Sequence, residues 1–234
     1  VCSTFLGGTS QDTVLDLALG SGDQPIVVGN SGSLNFPTTP GTYDETPGGD
    51  FITRFTADGS GLVASTRYKD GIALVVTADG DTVLIAGRAG LGFPATPDAF
   101  DTTFNGISDA FVARFDGQLG NVLGATLIGG SEADGPSRLI VDESSGIIMI
   151  GGSASSNYPT TPGAYDTEKG GGTSSAPVIS YFTADLTKLR YSTFLGPAAA
   201  LTTGASDVDC FGMAEVVMVG FGAGPGFPTT PGAF

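Results

Sequence analysis

The sequence predicts an all-β fold of repeated four-stranded sheets, on three observations. First, the stretch Phe36-Pro37-Thr38-Thr39-Pro40-Gly41-Thr42-Tyr43 is written four times. It returns as Phe93-Pro94-Ala95-Thr96-Pro97-Asp98-Ala99-Phe100, as Tyr158-Pro159-Thr160-Thr161-Pro162-Gly163-Ala164-Tyr165 and as Phe227-Pro228-Thr229-Thr230-Pro231-Gly232-Ala233-Phe234. Such self-similarity marks an array of one supersecondary unit. Second, a short apolar run closed by glycine precedes each copy: Ile26-Val27-Val28-Gly29, Leu84-Ile85-Ala86-Gly87, Met149-Ile150-Gly151 and Val217-Met218-Val219-Gly220. Third, the 234 residues are 40% hydrophobic, only 14% charged, and include 38 glycines, the composition of a turn-rich β protein with a real core.

Each unit opens with a weak strand and a polar turn. Val14 to Leu19 leads into Gly20-Ser21-Gly22-Asp23, Ile72 to Thr77 into Ala78-Asp79-Gly80-Asp81, and Arg138 to Val141 into Asp142-Glu143-Ser144-Ser145-Gly146. Asp-Gly and Ser-Gly between apolar runs are hairpin signals, because glycine accepts positive φ without steric cost. The fourth unit is the poorest copy, with Asp207-Val208-Asp209-Cys210-Phe211-Gly212 in this place. The second strand is the glycine-closed apolar run. It does not alternate with polar residues, so both its faces are expected to be buried.

The long link with two prolines comes next, followed by a third strand: Phe51-Ile52-Thr53-Arg54-Phe55, Phe111-Val112-Ala113-Arg114-Phe115 and Val178-Ile179-Ser180-Tyr181-Phe182. Alternation places Phe51, Thr53 and Phe55 on one face and Ile52 and Arg54 on the other. The fourth strand runs into the junction: Ser3-Thr4-Phe5-Leu6-Gly7-Gly8, Ser65-Thr66-Arg67-Tyr68, Ala125-Thr126-Leu127-Ile128-Gly129-Gly130 and Ser192-Thr193-Phe194-Leu195-Gly196. Four short strands in about sixty residues, stacked so that each sheet covers the next, make a β-propeller. Residues 1–234 are read as a single domain of four such repeats, with junctions near residues 4, 66, 126 and 193 and the last repeat incomplete. They form four blades or part of a larger ring.

The stretches "STFLGG…VLDLALGSGDQPIVVGN…NFPTTPGTYDE…GGDFITRF" resemble the SBBP family of β-propeller repeats of bacterial and archaeal surface and secreted proteins. Asp109-Ala110-Phe111-Val112-Ala113-Arg114 and Gly226-Phe227-Pro228-Thr229-Thr230-Pro231-Gly232-Ala233-Phe234 carry the likeness most closely, and it runs along essentially the whole chain. It departs at Arg67-Tyr68-Lys69-Asp70 and at the insertion Pro197 to Leu201. The resemblance implies a cell-surface or extracellular location, and it supplies no catalytic residue.

The aromatic and proline residues of the links are read as inter-blade staples: Phe36, Pro37 and Tyr43; Phe93, Pro94 and Phe100; Tyr158, Pro159 and Tyr165; Phe227, Pro228 and Phe234. Cys2 and Cys210 fall in one blade by the repeat phasing and form a candidate disulfide. The sequence begins at Val1, which suits a processed form or a piece of something longer. Three ways of finishing the last blade stay open: a longer array, a four-bladed ring with one incomplete blade, or a strand shared between subunits.

With no histidine, Ser-His-Asp and Cys-His catalysis and His-ligated metal sites are excluded. A net charge of −15 opposes binding to nucleic acid or to anionic membranes, and no segment has the length of a transmembrane helix. Most acids sit at turns (Asp58, Asp79, Asp81, Asp116, Asp142, Asp185), where aspartate bonds its own backbone. Arg54 and Arg114, replaced by Tyr181 in the third unit, are expected in salt bridges at blade edges. The reading is a non-enzymatic structural or interaction module without cofactor, forming oligomers or filaments with protein partners, identical subunits among them. A glycan- or calcium-binding propeller is the alternative, and a two-carboxylate glycoside hydrolase ranks behind it.

Overall fold

A computed structural model describes residues 3–68, 71–79, 81–142, 146–170, 175–196, 205–210 and 216–220. It is all-β, with one short 3-10 turn at Ser21–Asp23. Three four-stranded antiparallel sheets follow one another along the chain, each a meander in sequence order. Sheet 1 holds β1 (Asp12–Leu19), β2 (Pro25–Ser31), β3 (Gly49–Phe55) and β4 (Leu62–Tyr68). Sheet 2 holds β5 (Gly71–Asp79), β6 (Thr82–Ala89), β7 (Asp109–Phe115) and β8 (Val122–Ile128). Sheet 3 holds β9 (Asp134–Val141), β10 (Ile147–Ser153), β11 (Ala176–Phe182) and β12 (Leu189–Phe194). A hairpin of β13 (Ala205–Cys210) and β14 (Val216–Gly220) comes next. Among the described residues no helix is long and apolar enough to cross a membrane.

The second strands explain why sheets stack. Val83 and Ile85 of β6 join Ile26, Val28, Ile52 and Tyr68 of sheet 1 in one core. Leu84 and Ala86, one residue over, join Ile147, Met149, Val178 and Phe182 of sheet 3 in another. Period-two geometry sends alternate side chains to opposite faces, so a strand apolar throughout needs a neighbour on each side. The same alternation in β3 puts Ile52 toward sheet 2, with Phe51 and Phe55 on the reverse face beside Val27 and Phe36.

The glycine that closes each apolar run has a local cause. The first strand of each unit carries a β-bulge at one position, where Val14, Ala73, Pro136 and Ala205 face Gly29, Gly87, Gly151 and Gly220. A bulge crowds an extra residue against its partner strand. A Cβ on Gly29 would lie 2.0 Å from the Thr13 carbonyl oxygen, and one on Gly151 would lie 2.3 Å from that of Gly135. Only a residue without a side chain lets the strands close there. First strands also meet across sheets, β1 against β5, β5 against β9 and β9 against β13.

Candidate functional site

The polar chemistry of the chain converges on the proline-rich links. Each link lies along the outer edge of its own sheet, on the last strand. The Thr39 amide donates to Ser65 O at 2.9 Å, and the Ser65 amide donates back to Thr39 Oγ1 at 2.9 Å. Thr96 with Ala125, and Thr161 with Ser192, repeat both bonds. Further along, the Asp44, Asp101 and Asp166 amides donate to the Thr66, Thr126 and Thr193 hydroxyls, and the Arg67, Leu127 and Phe194 amides donate to the Asp44, Asp101 and Asp166 carbonyls. The prolines contribute no donor, but the Pro37 and Pro159 carbonyls accept the buried hydroxyls of Ser65 and Ser192, each at 2.7 Å. Pro94 has no such bond, because Ala125 carries no hydroxyl. An exposed strand edge invites pairing with another chain, and here the link occupies it.

The two aromatic ends of a link face opposite ways. Phe93 packs 4.7 Å from the Phe111 ring and reaches back to Tyr68 of sheet 1 at 6.2 Å. Tyr158 is buried in the core shared by sheets 2 and 3, its hydroxyl 2.9 Å from Ser180 Oγ, and burial raises its pKa. Phe36 stacks on Phe51 at 4.3 Å, with the Arg67 guanidinium over the Phe36 ring at 4.7 Å, on the face of sheet 1 away from sheet 2. The second aromatics reach forward. Tyr43 donates its amide to Leu119 O at 2.8 Å and meets the Phe115 ring edge-on at 5.7 Å. Phe100 does the same to Leu186 O at 2.9 Å and to Phe182 at 6.1 Å. Tyr165 is exposed and donates its amide to the Tyr191 hydroxyl of its own sheet at 3.2 Å. Phe227, Pro228 and Phe234 lie outside the described residues, as does Cys2; Cys210 ends β13.

The repeat-equivalent arginines also tie sheet to sheet. Arg54 donates to Gly117 O at 2.8 Å and pairs with Asp81 at 2.9 Å, both in sheet 2, while holding Ser21 Oγ at 3.0 Å. Arg114 donates to Ala184 O of sheet 3 at 3.0 Å. Tyr181, their replacement in sheet 3, instead bonds Asp142 and Arg190 within its own sheet. The turn aspartates behave as the turn chemistry predicts. Asp58 gathers Thr56 and Ser60, Asp185 gathers Thr183 and Thr187, and these bonds hold both carboxyls down at about 2.

One constellation was missed by reading the sequence. Asp12 accepts the Gly8 amide and the Ser33 hydroxyl, Ser33 Oγ accepts the Ser10 amide, and Asn35 Oδ1 accepts both the amide and hydroxyl of Thr9. Sheet 3 has the identical knot in Asp134, Gly130, Ser155, Glu132, Asn157 and Ser131. The signal was present in the equal spacing of Asp, Ser and Asn in units one and three. The second unit has Gly71 and Ala89 where the others pair Asp with Ser, and it lacks the knot. Serine and amide bonds lower the pKa of Asp12.

Buried charge sits beside these knots. Arg67 is almost fully buried and donates to Gly49 O at 2.9 Å and Ser33 O at 2.7 Å, with Asp12, Asp44 and Asp50 supplying the counter-charge. Burial raises Asp50 to about 6 despite Arg67. Burial likewise raises Asp109 to about 6, and the neighbouring charges of Asp134 and Asp101 add to the effect while the Asn105 amide opposes it. Asp109 and Asp134 each keep one buried carboxylate oxygen without a hydrogen-bond partner. Among the described residues no group of three or more His, Cys, Asp or Glu side chains stands in metal-holding arrangement. No family model matches this sequence, and no curated protein matches it.

Proposed function

We propose that this chain is a β-propeller-type array of SBBP-like repeats that works as a non-enzymatic structural or interaction module at the cell surface or outside the cell. The observation that carries the reading is where its polar side chains point. Arginines, serines, threonines and turn aspartates bond neighbouring sheets, strand edges and their own loops. An enzyme of the acid–base kind instead aims such groups into a cleft. The side-by-side packing of the first strands β1, β5, β9 and β13 supports an arrangement around a common axis. Protein partners, a second copy of the chain among them, fit a surface whose net charge of −15 repels nucleic acid. Electron microscopy of the purified protein, with no ligand added, is expected to show discrete oligomers or filaments. Isolated monomers at every concentration would remove self-assembly from the reading.

The second reading, a calcium- or glycan-binding propeller, is favoured by one observation: the unpartnered oxygens of Asp109 and Asp134. A calcium site there predicts a lower melting temperature in chelator, and an unchanged one dismisses it.

A further inference from the structure

Sheet 1 presents an inter-sheet face that no described sheet covers. Leu17 faces Val27 in the β1–β2 register, and the residues at this position in sheets 2 and 3 are Val76, facing Ile85, and Leu139, facing Met149. Val76 and Leu139 are 6% and 7% exposed, each packed in a core shared with the preceding sheet. Leu17 is 57% exposed and Leu19, on the same face, 60%. The hairpin β13–β14 thus leaves this face open in its own chain; its first strand meets β9.

The joint between sheets 1 and 2 shows what such a face receives. Asp16 of β1 reaches across and accepts the Val76 amide of β5 at 3.0 Å. The strand β13 repeats the parts. Its bulge falls between Ala205 and Asp207, as that of β1 falls between Val14 and Asp16, and Ala205 and Val14 each face the glycine closing the apolar run. Asp207 then faces Val219 where Asp16 faces Val28, so Asp207 holds the register position of Asp16. Leu17 in turn holds that of Val76 on an edge strand, so its amide points the same way. The partner strand of the hairpin, Val216–Gly220, is apolar without alternation, and such a strand needs a neighbour on each side. At the receiving face, Leu17, Leu19, Pro25 and Val27 carry no charge, which lets one copy of this acidic chain approach another there.

We propose that a second copy of this chain docks its β13–β14 hairpin on the exposed face of sheet 1, head to tail, with its Asp207 accepting the Leu17 amide as Asp16 accepts that of Val76. The joint covers Leu17 and Leu19. It pairs two different surfaces, so it repeats from copy to copy into a ring or a filament. This rests on the self-assembling module proposed above and names the surfaces by which its copies meet.

Two variants break opposite sides of the joint. Leu17→Asp spoils the receiver and keeps the donor; Leu17 is exposed within sheet 1, so that sheet folds, and a cooperative melt checks it. Asp207→Ala spoils the donor and keeps the receiver. In light scattering over a concentration series, the wild type is expected to form multimers and L17D to stay monomeric, with Leu19→Asp as a second receiver variant that behaves alike. D207A, short of one charge-assisted hydrogen bond, is expected to need about tenfold more protein to assemble. An equimolar mixture of L17D and D207A is expected to give dimers at a concentration where each alone is monomeric, because one intact donor meets one intact receiver. A mixture that stays monomeric overturns the proposal in favour of symmetric pairing of two sheet 1 faces. Either receiver variant, or D207A, assembling as readily as the wild type overturns it in favour of another surface. In these outcomes the wild type still assembles and the broader reading stands, whereas wild-type monomers at every concentration overturn the joint and self-assembly together.

Discussion

Replacing Thr39 by valine tests whether the link seals the sheet edge. Valine keeps the β-branched shape and the Thr39 amide bond to Ser65 O, but removes the hydroxyl oxygen that accepts the Ser65 amide at 2.9 Å. Ser65 is fully buried, so its N–H loses its partner without gaining water. A buried donor left unsatisfied costs about 1–3 kcal/mol, against a few tenths for an ordinary surface change. The same loss applies to Thr96→Val at Ala125 and Thr161→Val at Ser192, both fully buried. All three variants are expected to lower the urea midpoint by equivalent amounts with an unchanged slope, while Thr39→Ser, which retains the acceptor, recovers most of the loss. In thermal scans each kcal/mol corresponds to about 2–4 °C for a chain of this size. If all three valine variants stay within about 0.5 kcal/mol of wild type, the hydroxyls do not close the edge.

Other perturbations separate the remaining interactions. Arg54→Met removes the Gly117, Asp81 and Ser21 bonds of a buried guanidinium and is expected to cost about 2 kcal/mol by denaturant titration. Asp81→Asn, at a side chain 72% exposed, is expected to cost under about 1 kcal/mol, and equal losses would contradict this division. Gly29→Ala forces a Cβ to 2.0 Å from a backbone oxygen and is expected to abolish a cooperative melt. Gly41→Ala, at φ of 83° with open space around it, is expected to cost about 1 kcal/mol from backbone conformation alone. For pH, Asp109 holds its proton more tightly folded than unfolded. Its stabilising contribution is therefore full below the ordinary carboxylate range near 4 and is lost as pH rises through about 6. Asp109→Asn is expected to flatten the fall in melting temperature between pH 4 and 6, and an unaltered slope would assign that fall elsewhere.

The strands were legible because their signals are local and repeated. Ile26-Val27-Val28 announces burial on both faces by lacking alternation, and Phe51 and Ile52 part to opposite cores as period two requires. The recurrent link was equally visible, but not that its first half lies on its own sheet while Tyr43 and Phe100 cross to the next. That depends on which strand is outermost, a property of pairing order rather than of any one stretch. The glycine closing each apolar run looked like a strand end; its cause is a carbonyl from a bulge in another strand. The knot around Asp12 joins residues more than twenty positions apart and surfaces only when units one and three are laid over each other. The second unit, which lacks it, hides the pattern from a reader seeking a motif present in every copy.

The forward reach of Tyr43, Phe100, Arg54 and Arg114 gives the assembly a polarity. Both joints among the described residues have a donor side and a receiver side, and the two are not interchangeable. Joints of this head-to-tail kind end only when the last donor finds the first receiver; otherwise each added unit carries an unfilled socket onward. Whether such a chain makes a closed particle or a growing fibre is thus decided by the angle between successive sheets, and a single residue that alters that angle can convert one into the other.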